Sequence, residues 1–285
     1  MISSDSPDVW TRQDEFRFDA TVGVPPDAFS ETGQDWGLPP WRWEAMAAND
    51  FAWIRARAKR TAQLFDGFRL DHLVGLYRVY NRPIDEAHEN FFTPPDPPAQ
   101  LALGERLVSI YLDTGAEIIA EDLGTVPGFV RASLRRLRVP GFKVMRWERR
   151  WSESGKPYVD PAQYEEISVA TTGTHDTEPL ATWWESLSEE ERDEVVSLPA
   201  VIRHLPRAAT PLDAIVAALL DARSQLAILP IQDVFGWSDR INTPAVVSED
   251  NWSWALPWPV DRLADVDEAR RRARWLAEVT RAAAR

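Results

Sequence analysis

Glu117-Ile118-Ile119-Ala120-Glu121-Asp122 gives the strongest indication of the fold, because a short apolar run ends there in two acids before a glycine turn. Residues 68–72, Phe-Arg-Leu-Asp-His, and residues 173–176, Gly-Thr-His-Asp, likewise place one acid after a strand-like run. Each of the three stretches places an acid at the end of a predicted strand. These acids are Asp71, Glu121 and Asp176. A parallel barrel gathers its functional side chains at the carboxyl ends of its strands, so the acids predict a site of that kind.

The surrounding pattern alternates strands with helices. Strands are predicted over residues 66–72, 117–122, 141–147, 167–174 and 225–231. Helices are predicted over residues 43–64, 98–114, 127–138 and 260–283, and Ser188-Glu189-Glu190-Glu191 fits a capping box that opens another helix. Alternation of this kind indicates an α/β fold with a parallel sheet, either doubly wound or closed into a barrel. No Gly-rich phosphate loop follows a predicted strand, which argues against the usual nucleotide sites.

Composition narrows the classes of ligand. The chain has 285 residues, 44% of them hydrophobic, and a formal net charge of −13, which disfavours nucleic acid and anionic lipid as partners. No apolar run reaches the length of a membrane span, and no secretory signal opens the chain, so a cytoplasmic location is expected. Cysteine is absent and none of the four His has ligand spacing, so no metal site is expected.

Residues 21–41 are rich in Pro and Gly and predict an ordered irregular loop with a functional role. The 14 Trp of the chain are mostly explained by packing. Trp36 lies in this loop, outside any periodic pattern, and is interpreted as a platform for a sugar ring.

The strand-end acids also have other interpretations. Arg69 and Asp71 point the same way on a strand, as an ionised nucleophile and its partner or as a structural ion pair. Glu121 fits an acid catalyst of raised pKa or a helix cap. His175 and Asp176 follow Gly173, so they are free to contact a bound sugar or to hold a loop together. Three such strand ends together favour a site that breaks and remakes a glycosidic bond.

The same motifs resemble the α-amylase clan, and most closely the 4-α-glucanotransferases, or amylomaltases, of glycoside hydrolase family 77. Residues 119–124 and 172–177 match family motifs closely, and residues 22–37 resemble the substrate-covering loop. Residues 229–233 and 251–254 resemble the last barrel strand and the segment after it. The resemblance extends from about residue 8 to the C-terminus.

The resemblance implies a role for each matched residue. Asp71 is implied as nucleophile, Glu121 as general acid/base, Asp176 as transition-state stabiliser and Arg69 as partner of the nucleophile. Further sugar contacts are implied for His175, Phe29, Gln34 and Trp36. The implied reaction is the retaining transfer of α-1,4-glucan segments to the 4-hydroxyl of an acceptor, within glycogen or maltodextrin metabolism, with no cofactor.

Two departures from the family are visible. Ala28 stands where the family often has Tyr. The family also places Asp71 on barrel strand four, so residues 1–285 are expected to be the C-terminal portion of an N-terminally truncated (β/α)8 TIM barrel, with strands four to eight and residues 21–41 as the covering loop. The alternatives are an α-glucan hydrolase of the same clan and an inactive or glucan-binding fragment.

Overall fold

The computed structural model describes residues 1–26, 32–85, 87–244 and 246–284. Backbone contacts divide the chain into two compact units, Met1–Gly141 and Phe142–Arg285. Within the described ranges, no helix combines the length and the apolarity that crossing a bilayer demands.

The first unit contains six α-helices and six strands within its described residues. Its helices are α1 Pro7–Thr11, α2 Trp43–Ala48, α3 Ala52–Ala62, α4 Val74–Tyr77, α5 Pro97–Leu112 and α6 Gly128–Leu137. Its strands are β1 Ala20–Val24, β2 Gln34–Asp35, β3 Gly67–Leu70, β4 Val79–Pro83, β5 Phe91–Thr93 and β6 Glu117–Ala120. β3 and β6 pair in parallel with Leu70 opposite Ala120, and Ala120 also pairs in parallel with Gly141. The predicted parallel α/β arrangement is therefore confirmed in this unit.

The segment over residues 21–41 is more regular than the sequence predicts. β1 pairs in antiparallel fashion with β2 and with β4, and β4 continues to β5, in the order β2-β1-β4-β5. The expectation of an irregular loop is wrong for residues 21–24 and 34–35, because β1 pairs with β2 and with β4, more than fifty residues later. Such distant pairing leaves no local signal in a Pro- and Gly-rich sequence.

The predicted helix over residues 43–64 is divided into α2 and α3. Asp50 and Phe51 both have positive φ, at 55° and 54°, which ends α2 and restarts the chain as α3. Phe51 is buried and Arg106 Nη2 lies 2.8 Å from Asp50 Oδ1. These tertiary contacts favour the break, although the local sequence allows a continuous helix.

The second unit begins within β7, Gly141–Val144. Its further strands are β8 Ser168–Thr171 and β9 Leu226–Ala227, which pair in parallel. Its helices are α7 Leu180–Ser186, α8 Glu189–Val196, α9 Pro199–His204, α10 Pro211–Leu220, α11 Ile231–Phe235 and α12 Asp267–Ala282. The capping box at Ser188 is confirmed, since its hydroxyl accepts the Glu191 N–H and the Glu191 carboxylate accepts the Ser188 N–H.

Several predicted boundaries change in this unit, among them the strands over residues 141–147 and 167–174, which are reduced to Gly141–Val144 and Ser168–Thr171. The predicted strand over residues 225–231 is reduced to Leu226–Ala227, because Ile231 already starts α11 behind Pro230. The predicted final helix begins as a 3₁₀ turn at Val260–Asp265 and becomes α-helical only at Asp267. A core of buried apolar residues surrounds α10, whose residues from Asp213 to Leu220 are all buried.

Candidate active site

Asp71 and Glu121 each directly follow the last residue of one of two paired strands, at the same end of the pair. β3 and β6 are parallel, and the residues that precede these acids, Leu70 and Ala120, lie opposite each other. The Glu121 N–H donates to the Leu70 carbonyl at 3.0 Å, which extends the ladder one residue beyond the strands. The two carboxyl groups therefore follow equivalent positions on neighbouring strands, as the sequence predicts.

The Glu121 carboxyl group is held by the backbone. The His72 N–H donates to its Oε2 at 2.8 Å and the Leu123 N–H donates to its Oε1 at 3.3 Å. Burial raises the pKa of Glu121, an effect that outweighs the opposing influence of Arg69 and of the two N–H donors. A carboxyl group with a raised pKa stays protonated to higher pH, which suits an acid catalyst.

Asp71 differs from Glu121 in its exposure. Its side chain is 78% exposed, and its Oδ1 lies 2.6 Å from Nη1 of Arg69, two residues earlier on the same strand. An exposed ion pair of this kind contributes little to stability. The contact therefore acts on the direction of the Asp71 carboxylate rather than on the stability of the fold.

His72 connects this strand end to the segment around Trp36. Its φ is 42°, and its ring meets the Trp36 ring edge-on with centroids 4.7 Å apart. Burial lowers the pKa of His72 to about 4, so the imidazole is neutral at ordinary pH. His72 was not predicted as a site residue, although it directly follows Asp71 in the sequence.

The sugar contacts implied for residues 21–41 are only partly described. Gln34 lies in β2, and its Oε1 accepts the Trp36 indole N–H at 3.1 Å. Trp36 is half-buried and packs at the edge of an apolar cluster. Phe29 and the departure at Ala28 lie outside the described residues.

In the second unit, His175 and Asp176 follow β8 in a turn built from threonines. The Thr174 N–H donates to Thr177 Oγ1 at 3.0 Å, and the Asp176 N–H donates to Thr174 Oγ1 at 3.2 Å. A Cβ at Gly173 would collide with the Thr177 hydroxyl, so glycine is required there by space. The turn fixes the direction in which both side chains leave the strand.

Asp176 is surrounded by donors from a later segment. Asn242 Nδ2 donates to Asp176 Oδ1 at 2.6 Å, and Arg240 Nη2 donates to the Asp176 carbonyl at 2.8 Å. His175 Nε2 lies 3.4 Å from Asp176 Oδ2. Asn242 and Arg240 were not predicted as site residues; the only signal in the sequence was a turn-like Asn-Thr-Pro run after Ile241.

The same later segment supports His175. The Trp252 ring lies against the His175 ring with centroids 5.2 Å apart, and the Trp252 N–H donates to the Ile241 carbonyl at 2.9 Å. Asn251 ties the segment to itself by accepting the Thr243 N–H and donating to the Val246 carbonyl. Residues 240–244 and 246–252 therefore form one support for both His175 and Asp176.

Asp233 anchors the chain on both sides of the threonine turn. Its buried carboxylate accepts the hydroxyl of Thr172 and, at 2.6 Å, the N–H of Leu180. Burial raises the pKa of Asp233. The segment over residues 229–233 resembles the last strand of a barrel, but in the structure α11 starts at Ile231, and Asp233 lies within it.

The structure brings the candidate residues together in two sets. Arg69, Asp71 and Glu121 share one strand end in the first unit, and Gln34 contacts Trp36 in the same unit. His175 and Asp176 form the second set in the second unit. Among the described residues, no group of three or more His, Cys, Asp or Glu side chains is arranged to hold a metal ion.

Comparison with known proteins gives a consistent result. A family model described as 4-alpha-glucanotransferase matches residues 1–261. The 4-alpha-glucanotransferase of Chlamydia pneumoniae is 30% identical over 276 residues, covering 93% of this chain and 52% of that protein. The potato (Solanum tuberosum) protein named "4-alpha-glucanotransferase, chloroplastic/amyloplastic" is 33% identical over 263 residues, covering 88% of this chain and 43% of that protein.

A solved structure agrees with these relatives. The amylomaltase from Streptococcus agalactiae in complex with acarbose has a TM-score of 0.81 and 28% identity, covering 99% of this chain and 56% of that chain. The chain spans about half the length of the curated relatives it matches. On the family match over residues 1–261, this chain belongs to the 4-alpha-glucanotransferase family, glycoside hydrolase family 77.

Proposed function

We propose that the chain supplies the catalytic groups of a 4-α-glucanotransferase, which moves α-1,4-glucan segments to the 4-hydroxyl of an acceptor glucan or glucose. The observation that carries the proposal is Glu121, a half-buried carboxyl group of raised pKa at the end of a strand paired with the one that precedes Asp71. Family membership and the similarity to an acarbose-bound amylomaltase support the same conclusion.

In the first step, Asp71 attacks the anomeric carbon and Glu121 donates its proton to the departing glycosidic oxygen. The bond to the leaving glucan breaks as the bond to Asp71 Oδ forms, which gives a covalent glycosyl-enzyme. Arg69 orients the carboxylate for attack, through its 2.6 Å contact with Asp71 Oδ1. The raised pKa of Glu121 increases the fraction that carries a proton to donate.

In the second step, Glu121 accepts the proton of an acceptor 4-hydroxyl, whose oxygen attacks the anomeric carbon and releases Asp71. The configuration at that carbon is retained after two displacements. We assign Asp176 the stabilisation of positive charge in each transition state and His175 a contact with the hydroxyls of the reacting glucose. Trp36, Gln34 and Phe29 are assigned to the covering segment over residues 21–41.

The proposed architecture is an incomplete (β/α)8 barrel in which residues 1–285 form the C-terminal portion, with barrel strands four to eight. Parallel pairing of β3 with β6 and of β8 with β9 supports it. A role in glycogen or maltodextrin metabolism and a cytoplasmic location are inferred with it. The potato relative is named for chloroplasts and amyloplasts, so location differs within the family.

Incubation of the chain with maltotriose tests the proposal. Glucose and maltooligosaccharides longer than maltotriose are expected to appear together. Asp71→Asn removes the nucleophile and is expected to reduce the rate by ~10⁴-fold or more. Asp66→Asn is the matched control, because Asp66 is exposed at the opposite end of the same strand, and it is expected to retain the activity.

Two outcomes would contradict the transferase. Release of shorter products with no chain lengthening would indicate an α-glucan hydrolase of the same clan. Binding of maltoheptaose with no product at all would indicate a glucan-binding fragment, and the missing activity would then be sought in a longer form of the protein.

A further inference from the structure

Three tryptophans line a cavity in the second unit that none of the roles above uses. The cavity has a volume of about 410 Å³, and its lining comprises Trp237, Asp239, Trp254, Ala255, Pro257 and Trp258. A volume of ~300–1,000 Å³ is typical of sites for small organic ligands. We call the surface formed by Trp237, Trp254 and Trp258 the Trp groove.

The rings of the Trp groove hold one another in place. Trp237 stacks on Phe235 with centroids 4.3 Å apart and an interplanar angle of 22°. Its ring also contacts the rings of Trp254 and Trp258, at centroid distances of 6.2 and 5.6 Å. Because each ring has an aromatic neighbour, little side-chain entropy remains to be lost when a ligand binds.

The Trp groove suits an uncharged polyhydroxylated ligand. All three indoles are partly exposed, so they offer apolar faces on which the C–H faces of sugar rings can pack. The exposed Asp239 adds a carboxylate that can accept hydrogen bonds from hydroxyl groups. The same carboxylate and the net charge of −13 disfavour an anionic ligand.

Chain connectivity places the groove close to the His175–Asp176 pair. Trp254 follows Trp252, whose ring lies against His175, by two residues, which span at most ~7 Å of extended chain. On the other wall, Asp239 directly precedes Arg240, which donates to the Asp176 carbonyl at 2.8 Å. Trp254 and Asp239 therefore each lie within two residues of a side chain that contacts His175 or Asp176.

We propose that the Trp groove is a distal binding site for an α-1,4-glucan chain, which holds glucosyl units away from the bond that is broken. The inference rests on the proposed function for its ligand class. It goes further by assigning the groove a preference for long glucans over short ones. Maltose bound across the reacting bond uses both of its glucosyl units there, whereas a longer chain has further units to place in the groove.

The test measures binding rather than turnover. The full chain carrying Asp71→Asn is titrated with maltose and with maltoheptaose by calorimetry, with and without Trp258→Ala. Trp258→Ala is expected to weaken maltoheptaose binding about tenfold, as a lost aromatic contact of ~1.4 kcal/mol requires, and to change maltose binding less than twofold. Trp258→Phe keeps a ring in place and is expected to recover most of the affinity.

Trp151→Ala is the matched control, because Trp151 is 61% exposed in the same unit and does not line the groove. Unchanged maltoheptaose affinity in both Trp254→Ala and Trp258→Ala would overturn the inference, as would an equal loss for maltose and maltoheptaose. Tight binding of tetramethylammonium that leaves glucan binding unaffected would also overturn the inference, because it would indicate that the groove is a cation cage.

The outcome is separable from the test of the proposed function. If wild-type chain fails to lengthen maltotriose but maltoheptaose still binds through Trp258, the transferase proposal fails and the distal site stands. If transfer occurs and maltoheptaose affinity is insensitive to Trp258, only the distal site fails.

Discussion

The two sets of candidate residues are built in different ways. In the first unit, Glu121 is held by the backbone N–H groups of His72 and Leu123 at the end of a paired strand. In the second unit, Asp176 is held by the side chain of Asn242 and by Arg240, both more than sixty residues later in the chain. A carboxyl group can thus be positioned by strand register alone or by a distant loop, and the two arrangements respond differently to substitution.

The largest effect is expected at the backbone-held group. Glu121→Gln preserves shape but removes the transferable proton, so maltotriose transfer should fall ~10²–10⁴-fold. Glu117→Gln, at the exposed opposite end of β6, is the control and should leave the rate unchanged. Chain lengthening at the wild-type rate in Glu121→Gln would show that another group supplies the proton.

An intermediate effect is expected at the loop-held group. Asn242→Ala removes the donor 2.6 Å from Asp176, and a hydrogen bond to a charged group is worth ~1.5–3 kcal/mol, which corresponds to a ~10–100-fold loss of transfer rate. Asn242→Asp places a second carboxylate beside the first and should be slower still.

The pH profile of Asn242→Ala tests whether the two carboxyl groups are supported separately. In Asn242→Ala, the pH dependence that reports Glu121 should remain as in wild type, because the first unit is unaltered. A shift of that limb in Asn242→Ala would contradict the separate support of the two carboxyl groups.

The pH dependence of stability should separate His72 from Glu121. Because the pKa of His72 falls from 6.5 to about 4 on folding, the unfolded chain binds more protons between these values, and His72 lowers stability as pH falls from about 6.5 towards 4. Thermal unfolding of His72→Asn should show less of this acid loss, while His88→Asn, at an exposed His, should behave as wild type.

Glu121 should act in the opposite direction. Its pKa is raised on folding, so the folded chain binds more protons, and the contribution of Glu121 to stability is present at low pH and lost as pH rises through the folded value. The melting temperature of Glu121→Gln should therefore rise relative to that of wild type as the pH increases from 4 to 7. A difference in melting temperature that does not depend on pH would show that burial does not raise the pKa of Glu121.

The smallest effect is expected away from both sets. Ser188→Ala removes the cap of α8 and should lower the free energy of unfolding by ~1 kcal/mol, with no change in transfer rate. Ser154→Ala, at an exposed position in the same unit, should change neither quantity. A loss of transfer in Ser188→Ala would mean that α8 helps to position the second set.

The difference between the two sets also explains what the sequence could predict. The ends of β3, β6 and β8 follow from short apolar runs closed by turns, and their acids are adjacent to those ends in the chain. Pairing of β1 with β4 and the contact of Asn242 with Asp176 depend on residues 50 or more positions apart. Periodicity and propensity describe a local window, so they carry no information on such contacts.

The predicted helix boundaries were wrong for a related reason. The sequence from Trp43 to Leu64 favours one helix, but burial of Phe51 and the ion pair of Asp50 with Arg106 select two consecutive left-handed residues. His72 is a similar case, since its left-handed backbone directs its N–H to Glu121. Positive φ in non-glycine residues is uncommon and is not read from residue type.

The backbone donors to Glu121 affect how the sequence around it can change during evolution. Every residue except proline supplies an N–H, so almost any codon change at position 123 leaves a donor available to the acid, and a change at position 72 does so where the new residue tolerates a φ of 42°. The donor to Asp176 is a single asparagine amide, which one missense change removes. As sequences drift to the 30% identity seen between this chain and its chlamydial relative, the setting of Glu121 should persist with few constraints on its neighbours, whereas Asp176 requires selection at a second, distant codon.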